Sequence, residues 1–273
     1  MSTHPDTKPD NLQIVPFTID LKREIRLPTP IRIKKAISPT LLLSDTGQIY
    51  ALTGIDIPDD TETAVKTQTQ LSEWTEGQKC TVYQTRSDKS GRINRMNQIL
   101  VHITCGKENR WIQGSLISKG LARVRTTPEN KIHSIEMLDL EEQARKNKTG
   151  LWGLQMNRPL TPLTARQRMD SFGIVEGHVY AVSQNRNAIF LNFTSDWKTD
   201  FSIGIPSKLR KDFSKLRVNP PIDPMSLKGK PIRIRGWIRN YNGPYIEMDH
   251  VEQLELIKNQ KDPVPKVKDE QAN

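Results

Sequence analysis

Three carboxylates fall within five residues in "ALTGIDIPDD", Ala51 to Asp60: Asp56, Asp59 and Asp60. Grouped carboxylates suit two kinds of chemistry. They can hold a hard divalent cation, which prefers oxygen ligands, as the acidic end of a catalytic metal site. They can also end a turn and cap a helix, where their oxygens accept from free N–H groups and their charge suits the helix dipole. The residues that follow allow the second use as well. Thr61 to Gly77 is helix-permissive, with Asp59 or Asp60 as its N-cap.

Cations gather at two other places. The strands "CTVYQT" (Cys80 to Thr85) and "QILVHIT" (Gln98 to Thr104) flank "RSDKSGRINRMN", a long hairpin whose loop carries Arg86, Lys89, Arg92 and Arg95. In "KPIRIRGWIRNYNGPYIEMDH", Ile232, Ile234 and Ile238 alternate with Arg233, Arg235, Trp237 and Arg239. A strand has period two, so the isoleucines are expected in a core and the arginines and tryptophan on the other face. The return strand puts Ile246 and Met248 inside, with Tyr245, Glu247 and Asp249 outside. A three-residue loop, Asn242 to Pro244, then sets Arg239 opposite Glu247 and Trp237 opposite Asp249. Such a face can stack bases on Trp237 or Tyr241 and track phosphates with its arginines. The same residues also read as a solvated sheet face whose arginines pair with Glu247 and Asp249.

Composition sets bounds on these readings. The chain has 273 residues, a net charge of +10 and 35% apolar residues, with a sequence pI near 9.6 and a mean hydropathy of -0.62. That length suits two domains. The charge favours an anionic partner, nucleic acid before a lipid surface. No run approaches the ~20 apolar residues of a membrane helix. The start, "MSTHPDTKPDNLQ", lacks a basic-then-apolar secretory pattern, so a cytoplasmic protein is expected, with an exported form left open. Two cysteines are too few for a disulfide scaffold or a zinc site, and the five histidines show no metal-ligand spacing. Cys80 and Cys105 sit at the outer ends of the long hairpin and are expected to be free, reduced thiols. His102, within "ILVHIT", reads as a surface or fully satisfied strand histidine.

The elements fall into two blocks. Residues 1–30 read as a flexible arm. From "IRIKKAISPTLLL" onward come hairpins, with "SDTGQ" (Ser44 to Gln48) as a turn. "WIQGSLISKGLARV" reads as a short helix ending at Gly120. "HSIEMLDLEEQARKNKTGLWG" is the clearest helix, with Ile135, Leu138, Ala144 and Trp152 near helical spacing and Gly150 as its stop. Residues 154–171 read as a linker, 172–257 as a second β-rich domain and 258–273 as a disordered charged tail.

In order and spacing, "LTGIDIPDD", "SDKSGRIN", "ISKGLARV" and "EEQARKNKTGLWG" resemble the staphylococcal nuclease family, or thermonucleases, over residues 31–153. The resemblance implies a five-stranded OB barrel with helices packed around it. It also implies an enzyme that cuts DNA and RNA with one calcium ion held by two aspartates, a glutamate that activates water, and two arginines that grip the phosphate. By that resemblance Asp56 matches a metal aspartate and Arg92, in "DKSGR", the second arginine. Asp59 stands where the family has its glutamate. Ala51 stands where the first arginine belongs, and Pro39, in "ISPT", replaces the other metal aspartate. The second block resembles a C-terminal β-barrel attached to certain proteobacterial thermonuclease-like proteins, in which the first domain also often lacks the full catalytic set.

The expected fold class is therefore α+β, mainly β with helices: a nuclease-type OB barrel followed by a second small OB-like barrel. The leading expectation is a degenerate nuclease that binds single-stranded DNA or RNA through Arg86, Lys89, Arg92, Arg95, Arg233, Arg235, Trp237, Arg239 and Tyr241, with no cofactor. The alternative is an active phosphodiesterase using Asp59, Arg92 and Ca2+ on Asp56. The third is a scaffold that binds protein partners.

Overall fold

The computed structural model describes residues 14–58, 60–87, 89–195, 200–215 and 222–257. For Lys89 and Lys215 only the backbone is described. The chain divides into two compact units between Arg158 and Pro159.

Among the described residues the first unit holds nine strands: β1 (Glu24–Arg26), β2 (Ile31–Ser38), β3 (Leu41–Ser44), β4 (Ile49–Leu52), β5 (Ile55–Asp56), β6 (Lys79–Thr85), β7 (Ile99–Cys105), β8 (Arg110–Trp111) and β9 (Arg123–Val124). Its helices are α1 (Thr61–Thr75), α2 (Ile112–Ser118) and α3 (Ser134–Lys146). The ladder runs β6-β2-β3-β4-β7, and β7 pairs back onto β6, so these five strands close a ring. All neighbours are antiparallel except β4 and β7. This closed five-stranded barrel leaves no free edge within the ring. β1 adds to β6 and β8 to β7. Alternation along β2 breaks between Ile33 and Ala36, both buried and three residues apart, because a register shift lies between them.

Each helix has a local reason to be where it is. Asp60 is the N-cap of α1: its Oδ1 accepts from the N–H of Thr63 at 2.6 Å. The inner face of α1 is Thr63, Thr67, Leu71 and Thr75. Buried threonine hydroxyls would cost stability unpaired, and here Thr67 and Thr75 donate to the carbonyls four residues back. After α2, Gly120 adopts φ +60, and after α3, Gly150 adopts φ +54. Their backbones touch: a Cβ on Gly120 would lie 2.1 Å from the Thr149 carbonyl oxygen, and the Gly120 carbonyl accepts from Leu151. Only glycine fits at this crossing. The buried face of α3 is Ser134, Met137, Glu141 and Ala144, while Ile135 is exposed and Leu138 half-buried. Glu141 takes a core position because it accepts from the Val124 N–H and bridges Arg145.

Three expectations need correction in this unit. Residues 14–30 are not a loose arm. Val15 and Glu24 are buried, Trp111 donates to the Val15 carbonyl at 3.3 Å, and β1 completes the sheet. Residues 1–13 lie outside the described residues. His102 is neither exposed nor fully satisfied. It is buried beside Phe17, Trp111 and His133; its Nδ1 accepts from Trp111 Nε1 at 3.3 Å and its Nε2 has no partner. Cys80 and Cys105 are direct partners across β6 and β7, and they form a disulfide.

The second unit contains β10 (Ser171–His178), β11 (Ala181–Gln184), β12 (Ala188–Asn192), β13 (Ser202–Pro206), β14 (Pro231–Asn240), β15 (Pro244–Glu247) and β16 (Leu254–Leu256). The ladder runs β10-β14-β15-β13-β12-β11, with β16 also on β14. This is a second β domain around its own core of Ile189, Leu191, Ile203, Ile205, Ile234 and Ile246. Part of the expected linker belongs to it: Ala165 is fully buried in this core, and Leu160 bonds Ile174 and Glu176 through its backbone. The tail, 258–273, lies outside the described residues.

The disulfide of the first unit closes a loop with a sequence separation of 25, which by chain entropy contributes about 3 kcal/mol. Denaturant unfolding of Cys105→Ser should show a loss of that size, and thiol titration of the native protein purified without reductant should find no free thiol. Burial, and secondarily His133, holds the His102 pKa well below the usual histidine range. The unfolded chain therefore takes up a proton near pH 6.5 that the folded one refuses. Stability is fully present above that pH and should fall as pH drops below it, at up to ~1.4 kcal/mol per pH unit. Urea titrations between pH 7.5 and 5 on wild type and His102→Phe should show a shallower slope in the variant.

Candidate nucleic-acid interface

Asp56 ends the short strand β5, which pairs with β9 so that Asp56 lies opposite Arg123. The chain continues from β9 into Arg125, whose N–H donates to the Gly54 carbonyl. The alternation of arginines in "LARVR" thus delivers two guanidinium groups to one carboxylate. Arg123 Nε lies 2.6 Å from Asp56 Oδ2, and Arg125 Nη1 lies 3.0 Å from Oδ1. Both oxygens of Asp56 are engaged. Arg123 and Arg125 were not among the residues expected from sequence, although their i, i+2 spacing after a glycine-ended helix was a readable signal.

Calcium takes six to eight oxygen ligands. At this site one carboxylate is bound on both oxygens by cations. Pro39 occupies the turn between β2 and β3, where the second metal carboxylate would belong. No group of three or more His, Cys, Asp or Glu residues is placed to hold a metal among the described residues. The described residues thus offer a calcium ion a carboxylate already held by two guanidinium groups, which is a poor fit. Ala51, at the first-arginine position, is buried in β4 between Leu41 and Leu100. Asp59 lies outside the described residues.

The hairpin loop between β6 and β7 is held at several points. The Arg86 N–H donates to the Arg23 carbonyl and its Nε to Leu21. The Arg92 carbonyl accepts from Leu100 N–H and from Gln84 Nε2 at 3.0 Å. Asn130 Nδ2 donates to the Gly91 carbonyl at 3.0 Å. Arg92 is half-buried and Arg95 exposed. Neither guanidinium has a hydrogen bond or ion pair among the described residues, and none joins Arg92 to Asp56. The side chain of Lys89 lies outside the described residues.

In the second unit, alternation along β14 misleads. Arg233 and Arg235 were expected on an open face, but both are buried, Arg235 to 1% exposure. Arg233 lies between two partner strands, directly opposite Glu176 of β10 and Glu255 of β16. It bonds Glu176 at 2.5 Å and Glu255 at 3.3 Å, and Arg235 bonds Glu255 at 2.6 Å. β14 is covered on both edges there, so its arginines are paired in the interior and are not available to a phosphate. The acids responsible are Glu176 and Glu255, where Glu247 and Asp249 had been expected. The turn also differs. It spans Tyr241 to Gly243, with φ +53 at Asn242 and φ +108 at Gly243, and Arg239 therefore lies opposite Tyr245 in place of Glu247. Beyond the covered stretch, Trp237 (45% exposed), Arg239 and Tyr241 (60% exposed) reach solvent.

Residues 50–153 match the family described as staphylococcal nuclease homologue. With the closed five-stranded barrel and its helices, that match makes this part of the chain a staphylococcal nuclease-like domain. Among curated proteins no match to the chain is found. No helix among the described residues is long and apolar enough to cross a membrane.

The clamp on Asp56 is testable directly. Asp56→Asn removes a partly buried charge-assisted pair and should lower unfolding free energy by about 2 kcal/mol. Terbium luminescence, with the ion standing in for calcium, should be equally weak in wild type and variant.

Proposed function

We propose that this protein holds single-stranded nucleic acid and does not cleave it by the calcium-dependent route of the nuclease family. The observation that carries this is the engagement of both Asp56 oxygens by Arg123 and Arg125. A phosphodiester resists hydroxide because both are negative, and a nuclease overcomes this by gathering positive charge where negative charge grows. In this domain the carboxylate that would bring the metal has been turned to hold arginines. Positive charge already stands on both of its oxygens, which opposes a divalent cation there, and guanidinium groups are of the kind that attract a phosphate. Arg92 and Arg95, without ion pairs among the described residues, add to that attraction. The +10 net charge supplies the longer-range field.

The Cys80–Cys105 disulfide weighs on where this happens. Such bonds persist in oxidising compartments and are rare in the reducing cytoplasm. The reading therefore moves from the cytoplasm to an oxidising environment.

A 5′-labelled single-stranded oligonucleotide, followed by anisotropy in calcium and in EDTA and then run on a denaturing gel, tests the proposal. The oligonucleotide should be bound and intact in both conditions. Affinity should fall linearly in log salt, and Arg92→Ala with Arg95→Ala should reduce the slope by about 1.4, or ~0.7 for each phosphate that is no longer neutralised. Calcium-dependent fragments that vanish with Asp56→Asn would show a live enzyme. Salt-insensitive or absent binding would point to a protein scaffold.

A further inference from the structure

The second unit carries an open cavity of about 460 Å³ on the sheet face away from its core. Strand register shows how it is built. Ser183 lies opposite Phe190, Asn192 opposite Ser202, Ser202 opposite Tyr245, and Tyr245 opposite Arg239. Residues directly opposite share a face, so two neighbouring rows, Ser183–Phe190–Gly204–Glu247 and Asn192–Ser202–Tyr245–Arg239, lie side by side on it across β11, β12, β13, β15 and β14. The alternate residues, Ile189, Leu191, Ile203 and Ile246, fill the core on the other side. The Tyr241–Gly243 turn brings Tyr241 and Asn242 over the rim.

The floor depends on one glycine. Gly204 lies opposite Phe190, and a Cβ there would come within 1.7 Å of the Tyr245 hydroxyl oxygen. The tyrosine ring thus lies down across β13, in space that any side chain at position 204 would occupy. The Tyr241 ring stands beside it, with centroids 5.2 Å apart and planes at 47°. Burial, then Glu247 and Tyr241, push the Tyr245 hydroxyl up to about 12, so at neutral pH it is a hydrogen-bond donor.

The polar groups around this space are unused. The side chains of Ser183, Asn192, Ser202, Tyr241, Asn242 and Tyr245 make no hydrogen bond to any described residue, and Ser202 is buried. A surface row of this kind is ordinarily paired within the protein or left in open water. Here it converges on one cavity whose size lies in the ~300–1,000 Å³ range of small-molecule sites. Among the described residues no carboxylate lines it, and Glu247 stands outside it, opposite Gly204 on the same face. Cations stand at its ends instead: Arg239 beside Tyr245, and exposed Arg186 in the turn after β11.

We propose that this cavity takes one unstacked nucleobase of a bound strand, with aromatic rings against its face, the carboxamides and hydroxyls on its edge, and the flanking arginines on the adjoining phosphates. Aromatic faces accept every base, and Asn carboxamides offer both a donor and an acceptor, so the site fits the class and discriminates weakly among its members. The ligand class rests on the reading of the chain as a nucleic-acid binder; the existence of the site does not.

The test uses the full chain and two readouts. Saturation-transfer NMR with 5′-AMP and with 5′-UMP reads the cavity, and oligonucleotide anisotropy reads the whole protein. Wild type should transfer saturation to base protons more than to ribose protons. Gly204→Ala should lift the Tyr245 ring into the cavity and weaken mononucleotide binding roughly ten- to a hundred-fold, the value of one base stack, with the circular dichroism unchanged. Tyr241→Ala, at the exposed rim, should weaken it without risk to the fold. Absence of transfer from either nucleotide, with the oligonucleotide still bound, overturns the site and leaves the nucleic-acid reading standing. Transfer that both variants leave unchanged also overturns it. Transfer lost in the variants while the oligonucleotide fails to bind keeps the site and removes the broader reading. Transfer from N-acetylglucosamine and neither nucleotide assigns the cavity to a sugar and overturns the proposal.

Discussion

The pairing of β6 with β7 is the constraint on which the first unit depends. A strand has two edges. β7 takes one edge of β6, and β1 and β2 divide the other, β2 at the Lys79–Cys80 end and β1 at the Tyr83–Thr85 end. Without the β6–β7 ladder the five strands would be an open sheet with two bare edges. With it they close, and the loop from Arg86 to Gln98 must leave and re-enter at fixed points. The Ile93–Ile99 bridge and the Asn94–Gln98 turn then hold Arg92 at the mouth of that loop. The disulfide covalently fastens the far end of the same ladder, where Cys80 faces Cys105. One pairing thus closes the barrel, positions Arg92 at the mouth of the loop and sets two thiols within bonding reach.

The two units use arginine in opposite ways. Arg233 and Arg235 are desolvated, and their charge is answered by Glu176 and Glu255. Buried ion pairs add little net stability over apolar packing, but breaking one by removing a partner is costly. A slip of β14 by one residue would carry these charges into the isoleucine core and leave the acids unpaired, so the pairs resist that slip. Arg125 belongs to a cluster at the surface. Its side chain is 45% exposed while it holds Asp56 at 14%. Its guanidinium therefore answers a carboxylate at the solvent boundary, where Arg233 and Arg235 answer theirs in the interior.

Much of this was legible in the sequence, and the failures share a cause. Helix α1 and its Asp60 cap, the long hairpin, Gly120 and Gly150 as helix ends, and the Ile246–Met248 core strand all rest on local chemistry, which the sequence carries. Alternation in "IRIRGWIRN" correctly separated the isoleucines from the arginines. It does not reveal that β10 and β16 flank β14 and roof over Arg233 and Arg235, because that depends on residues some twenty to sixty positions away. His102 and the Glu24–His133 contact were missed for the same reason: residues 1–30 read together as polar and proline-dotted, yet the segment 14–27, with Val15, Phe17 and Leu27 against the core, folds over them. The free-thiol expectation rested on compartment statistics, while the ladder register decides the matter. The cavity was out of reach of sequence, since it is assembled from five strands and depends on an absent side chain at Gly204.

Charge and neutrality are divided between the two kinds of site in a way that suits nucleic acid. Phosphates are alike at every nucleotide, so the groups that bind them need charge and tolerance of geometry. At Asp56 the carboxylate fixes the positions of two guanidinium groups. Bases are neutral, flat and varied at their edges, so a site for them needs aromatic surface and unspent hydrogen-bonding groups. The cavity over Gly204 meets this, with its cations kept to the ends. A metal-dependent nuclease needs the reverse at Asp56, a carboxylate free of cations so that calcium can bring its charge to the scissile phosphate. With both of its oxygens held by Arg123 and Arg125, Asp56 is not in that state, and the guanidinium groups stand where a calcium ion would have to approach it.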